Sequence, residues 1–227
     1  MTNVSTDIAG EIATLRQRLA DAGLAVDGML ELAVRAVVEQ DVALTERVIG
    51  MEIAVGGVES EVEQFCLRLM ALHAPTPESM RECTTAIRLA AELRHISDYA
   101  LDIAKIGRRL VRHNVAYRPL VDLPRLMGMA RAMLRDALEA YARKEDQLVD
   151  AVIAADDRLD DVYHQYRDYA IEAMRQDTSL VLLGAFSVLA TKYVERIGDH
   201  IISLAESVHY LITGRMEALA RTRRQEP

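Results

Sequence analysis

Residues 191–205 read TKYVERIGDHIISLA and residues 90–104 read AAELRHISDYALDIA, and the two stretches resemble each other. So do residues 39–55, EQDVALTERVIGMEIAV, and residues 143–159, RKEDQLVDAVIAADDRL. Both pairs occur in the same order, separated by similar lengths of chain, so the sequence contains a long internal repeat. A unit of roughly 100 residues is too long for one turn of a solenoid, and duplication of a small bundle fits better.

Apolar residues recur at spacings of three and four over long stretches, the signature of helices with one buried face. The chain has two Phe, no Trp and little strict alternation, so strand signals are nearly absent. The pattern predicts helices near residues 6–39, 41–73, 78–113, 122–143, 145–176 and 179–213. The breaks between them carry expected punctuation: HAPTPES and YRPLVDLP each supply two prolines, QDTS supplies capping side chains, and TGR closes the last helix on glycine. The reading is an all-α fold of two tandem three-helix bundles related by internal duplication, residues 1–117 and 118–227.

Composition narrows the function. With 27 Lys and Arg against 35 Asp and Glu, the net charge is −8. That argues against general nucleic-acid binding, which needs clustered cations facing phosphates. The basic RTRR near the C-terminus is too short to reverse this. No apolar run approaches the roughly 18 residues that span a bilayer, and the first twenty residues lack an apolar signal core, so no direct membrane insertion and a cytoplasmic location are expected. Cys66 and Cys83 flank the predicted turn between the second and third helices. They read as buried free thiols, a disulfide across the turn being the alternative.

The chemistry concentrates in carboxylates. Glu195 and Asp199 stand four residues apart, neighbours on a helix that repel unless a cation compensates them. On a helical wheel Phe186, Ala190, Ile197, Ile201, Leu204 and Val208 form one apolar arc. Glu195, Asp199 and Glu206 lie opposite it with Val188 and Ile202, which predicts surface acids. Arg94, Asp98 and Asp102 likewise lie across from the apolar arc of the third helix. Asp156 and Asp160 flank the arc of the fifth. A single acid pair is ordinary solvated surface; convergence of Asp156, Asp160, Glu195 and Asp199 from antiparallel neighbours would offer several oxygens to a hard or borderline cation.

The segment ERIGDH late in the second repeat, the apolar helix closing in YLITG, and VIAADDRLDD in the preceding helix resemble the PhoU family of phosphate-signalling regulators, over nearly the whole chain. The resemblance implies two three-helix bundles, frequent homodimers, and metal clusters held by E/D-x-x-x-D pairs, one set per repeat. It also implies a role in restraining the phosphate-starvation response, with a phosphate ABC transporter and a sensor histidine kinase as partners. Carried over by position, the ligands to iron or another divalent ion such as zinc, manganese or magnesium are Asp156, Asp160, Glu195 and Asp199, with Ser203 where the family often has Asn. In the first repeat Glu52 and Asp98 match, while Gly56 and Arg94 replace acids. Either Asp102 restores a pair one turn after Asp98, or the Arg94 guanidinium pairs with Asp98 in place of a metal.

Two other functions compete. Glu92/His95 and Glu206/His209 are both Glu-x-x-His, the element that di-iron bundle enzymes contribute to a buried site. A phosphate loop, a zinc-protease pair and a nucleophile elbow are all missing, and the sequence is read as a non-enzyme. The third reading is a metal-free acidic adaptor whose faces dock a basic partner. His73, His113 and His164 read as helix-end or interface residues. Tyr163, Tyr166 and Tyr169 read as core edges, with a partner groove the minor alternative.

Overall fold

The computed structural model describes residues 8–72 and 76–219. Six helices account for nearly all of them: α1 (Ile8–Val38), α2 (Val42–Leu72), α3 (Pro77–Arg112), α4 (Leu123–Arg143), α5 (Asp146–Gln176) and α6 (Val181–Thr213), with a 3₁₀ turn at Thr178–Leu180 leading into α6. There is no strand among the described residues. The all-α fold and the six predicted helices are therefore observed, each end lying within a few residues of expectation.

Local chemistry sets those ends. Thr76 caps α3, its hydroxyl accepting from Ser79 N at 3.2 Å, with Pro77 opening the helix where its missing N–H costs nothing. Asp122 does the same for α4, accepting from Arg125 N at 3.0 Å. Gly214 ends α6 in the left-handed region at φ 73°, a conformation glycine adopts without steric cost. Gln40, in the turn after α1, holds the long inter-repeat linker: its amide donates to Val115 O at 2.7 Å and accepts from Tyr117 N at 3.0 Å.

The two repeats share one hydrophobic core. α3 packs on α1 and α2 within the first repeat and on α6 of the second; α6 packs on α3, α4 and α5; α1 also meets α4. A single cluster of buried side chains runs from Leu15 through Ile96 and Leu134 to Val208. The close approach of α1 and α3 depends on Gly107, where a Cβ would lie 2.2 Å from the carbonyl oxygen of Ala36. Cys66 and Cys83 are buried free thiols. Each perturbs the other, and the influence of Cys83 together with burial pushes the Cys66 thiol far up.

Sharing the core changes one expectation. Because α6 is central, its two sides are both covered, and the face opposite the first apolar arc is not a solvent face: Ile202, Ala205 and Gly198 are buried. Glu195 and Glu206 are half-buried rather than surface acids; of the three only Asp199 is exposed. A wheel drawn for one helix assumes one buried side, and α6 has neighbours on three.

Buried charge also ties the repeats together. Glu82 of α3 is 2 % exposed and takes ion pairs from Arg16 of α1 and, at 2.7 Å, from Lys144 in the α4–α5 turn. Burial works to raise its pKa, but the two cations outweigh it and hold the carboxyl below its ordinary value.

Candidate functional site

The carboxylates of the second repeat are placed by α5 and α6, packed side by side. Asp156 of α5 is 4 % exposed. It reaches α6 at Gly198, the glycine of ERIGDH: a Cβ there would lie 2.9 Å from Asp156 Oδ1 and 2.8 Å from Leu159 Cδ2. The missing side chain at Gly198 thus makes the cradle that admits Asp156 between Glu195 and Asp199 in sequence. Glu195 is 15 % exposed, and its buried Oε2 is held in an ion pair by the Lys192 ammonium at 2.6 Å, one turn back on α6, with Arg196 Nε 4.0 Å away. Asp199, one turn on, pairs with Arg196 at 3.2 Å, and Ser203 spends its hydroxyl on the backbone oxygen of Asp199. Asp160 stands half-exposed one turn beyond Asp156.

The first repeat is built differently at every matching position. Ser97 stands where Gly198 does, and its hydroxyl donates to Arg94 O at 2.7 Å, so no cradle opens. Arg94, in the place of Glu195, pairs with Glu59 of α2 at 3.4 Å, not with Asp98 as one sequence reading expected. The reason is helical geometry: Arg94 leans out toward α2, where Glu59 waits across the helix pair. Asp102 pairs with Lys105 at 3.1 Å, Asp98 is half-buried, and Glu52 sits beside Gly56 with nothing in the place of Asp160.

Tested against a divalent cation, the second repeat fits on one count, the cradle at Gly198 that brings the Asp156 carboxylate against α6; the buried Glu195 Oε2 is already paired with the Lys192 ammonium at 2.6 Å. Both carboxylates are hard oxygen donors suited to such an ion. The first repeat has no such cradle. Among the described residues no three His, Cys, Asp or Glu side chains are gathered as a ready-made cage, so the second repeat offers paired donors with Lys192 already among them.

The Glu-x-x-His elements lead elsewhere. The Glu92 carboxylate accepts from His200 Nδ1 at 2.7 Å, and His95 stacks on the same ring with centroids 4.9 Å apart. His209 bonds Asp146 at 2.7 Å. Nine residues separate His200 from His209, about 13 Å along α6, so the two elements face different partners rather than one di-iron centre. The Glu92–His200 pair has a repeat-related counterpart in Tyr99 and Tyr193, whose rings lie 5.7 Å apart, which marks the α3–α6 crossing as the axis between repeats. Tyr163 is buried, while Tyr166 and Tyr169 line a groove of about 810 Å³ with Tyr117 and Pro119. His113 is a helix end, touching Phe186; His164 is exposed; His73 and RTRR lie outside the described residues.

Sequence reasoning named the acids but missed Gly198, Lys192 and Glu59. The repeat alignment carried the signal, since it sets Ser97 against Gly198 and Ala91 against Lys192.

Fold and site together define a class: a duplicated three-helix protein whose repeats share a core and whose second repeat presents an acidic α5–α6 seam. The family model described as "PhoU domain" matches residues 19–107 and again residues 123–208. The chain belongs to the PhoU family. Among its relatives, the phosphate-specific transport system accessory protein PhoU homolog of Rhizobium meliloti (strain 1021) is 25 % identical over 204 residues, covering 90 % of this chain and 86 % of the relative. That of Xylella fastidiosa (strain 9a5c) is 29 % identical over 186 residues, covering 82 % and 78 %. The crystal structure of PhoU from Pseudomonas aeruginosa superposes with a TM-score of 0.86 at 24 % identity, covering 92 % of this chain and all of that one. The phosphate transport system regulatory protein PhoU from Streptococcus pneumoniae gives 0.85 at 23 %. No described helix is long and apolar enough to cross a membrane.

Proposed function

We propose that this chain is a non-enzymatic, cytoplasmic regulator of phosphate uptake that restrains the phosphate-starvation response. It acts as a homodimer, through contacts with a phosphate ABC transporter and a sensor histidine kinase. The family match over both repeats supports the role. The observation that supports the site is the Gly198 cradle, which sets Asp156 against α6 one turn from the Lys192–Glu195 ion pair.

In this reading the second repeat holds a divalent cation through Asp156 and Glu195, with Asp160 and Asp199 within one turn of them. When bound, the ion supplies positive charge that joins α5 to α6 and changes the potential of that face. The chain's own residues do the rest: Gly198 sets the approach of the helices, Asp156 is held desolvated, and Arg196 keeps Asp199 turned along α6. The first repeat carries an internal ion pair at the equivalent place and takes no metal.

Two measurements test the proposal. Deleting the gene should raise phosphate-starvation transcripts in phosphate-rich medium, and unchanged transcripts in a strain without a second copy would count against the role. Elemental analysis of protein purified without chelator should find metal in the wild type that Glu195→Ala/Asp199→Ala removes. No metal in either protein, with partner binding abolished by Asp199→Lys, would instead support an acidic face that docks its partner directly.

A further inference from the structure

Cys66 and Cys83 are the only cysteines in the chain, and nothing in the proposed function uses them. Both are fully buried, each 0 % exposed. They stand at one level across the α2–α3 hairpin, because Cys66 lies as far before Leu72, the end of α2, as Cys83 lies after Pro77, the start of α3. The two helices pack against each other. Packed helix axes lie about 8–10 Å apart and each Cα sits about 2.3 Å from its axis, so residues facing each other at one level have Cα atoms about 3.5–5.5 Å apart. That range overlaps the span of about 4.4–6.8 Å that a disulfide bridges. The thiols do face each other, since each is the strongest influence on the other. Cys66 holds the Cys83 thiol below its ordinary pKa, although burial and the adjoining Glu82 both work to raise it. Packing alone asks only for a small apolar side chain at either place, whereas two opposed thiols add the capacity to bond.

We propose that Cys66 and Cys83 are a redox modification site: a dithiol that peroxide converts to a reversible disulfide within one chain. The Cys83 thiolate attacks one oxygen of hydrogen peroxide, the O–O bond breaks, and Cys83 becomes a sulfenic acid. The departing hydroxide takes up the proton that Cys83 released. Cys66 then attacks the Cys83 sulfur, the S–O bond breaks, and the hydroxyl leaves as water with the Cys66 proton. Two thiols and one peroxide thus give one disulfide and two waters; the sulfurs lose the two electrons that the peroxide oxygens gain. Burial sets the rate, because peroxide reaches the pair only when the end of the hairpin opens locally. In the cytoplasmic setting proposed above such a bond is transient rather than structural. Once formed, it joins α2 to α3 next to Glu82, where Arg16 and Lys144 tie the two repeats.

The test exposes the purified, folded full chain to hydrogen peroxide, removes the excess with catalase, then unfolds the protein in urea with an alkylating agent and digests it with trypsin. Mass spectrometry should find residues 48–68, which hold Cys66, joined to residues 82–88, which hold Cys83, and dithiothreitol should separate them. Alkylation of the two thiols should be lost together. Cys66→Ser should stop the reaction at a Cys83 sulfenic acid that dimedone labels, whereas Cys83→Ser should leave Cys66 unlabelled; circular dichroism confirms that each variant is folded. Two thiols still fully alkylated after peroxide would overturn the proposal. So would a cross-link that forms only when urea precedes the oxidant, or one that joins two chains. Equal dimedone labelling of the two variants would overturn Cys83 as the attacking sulfur.

Discussion

Replacing Glu82 with Gln removes one charge and almost no volume, and the structure allows its cost to be worked out. Glu82 is 2 % exposed, while the side chains of Arg16 and Lys144 that pair with it are 36 % and 35 % exposed. A hydrogen bond to a charged group contributes about 1.5–3 kcal/mol net, and stranding a buried partner raises the loss. Here the partners left behind reach water, so the two contacts together amount to about 2–3 kcal/mol rather than the sum of two buried pairs. For a chain of this size that corresponds to a fall in Tm of about 4–10 °C. The assay is thermal unfolding followed by circular dichroism at neutral and acid pH. The sign with pH follows from the lowered carboxyl: its contribution is complete above its ordinary value of 4.5 and is lost as pH falls through the lower folded value. Wild type and Glu82→Gln should therefore differ fully at pH 7 and converge toward pH 3. Equal Tm values at pH 7, or a gap that persists unchanged into acid, would refute the reasoning.

Three glycines make contrasting predictions. Gly107→Ala drives a Cβ to 2.2 Å from a backbone oxygen that cannot yield, so α1 and α3 must separate; it should cost about 1–3 kcal/mol or more and lower the midpoint in urea. Gly57→Ala, inside α2 with nothing within 4 Å of its Cβ, should instead stabilise by about 0.5–1 kcal/mol in the same assay. Gly198→Ala meets only the ends of the Leu159 and Asp156 side chains, so its midpoint should fall less than that of Gly107→Ala. By displacing Asp156 it should still weaken the proposed divalent-ion binding severalfold, measured by titrating the purified protein with Mn²⁺ and counting the free ion by electron paramagnetic resonance.

The limits of legibility are clearest at α6. The spacing of Glu195 and Asp199 and the duplication of ERIGDH as RHISD are visible in one dimension, because a helix fixes which neighbours share a face. Whether that face meets water is not visible there, and the wheel misplaced Glu195 because it assumed one buried side. Arg94 shows the same limit: its partner along the chain is Asp98, but Glu59 across the α2–α3 contact takes it. Glu82 reads as one more surface acid beside Glu78 until Arg16 and Lys144 arrive from distant segments.

By itself, the sequence determined the six helices, their caps, the repeat and the acid spacing, all properties of local backbone geometry and short-range hydrogen bonding. Only the tertiary structure decided which acids are buried, that Gly198 admits Asp156, and that Arg16 and Lys144 converge on Glu82. Those contacts depend on the rotation and distance between helices far apart in the chain, and these are set by the packing of one core shared between the two repeats.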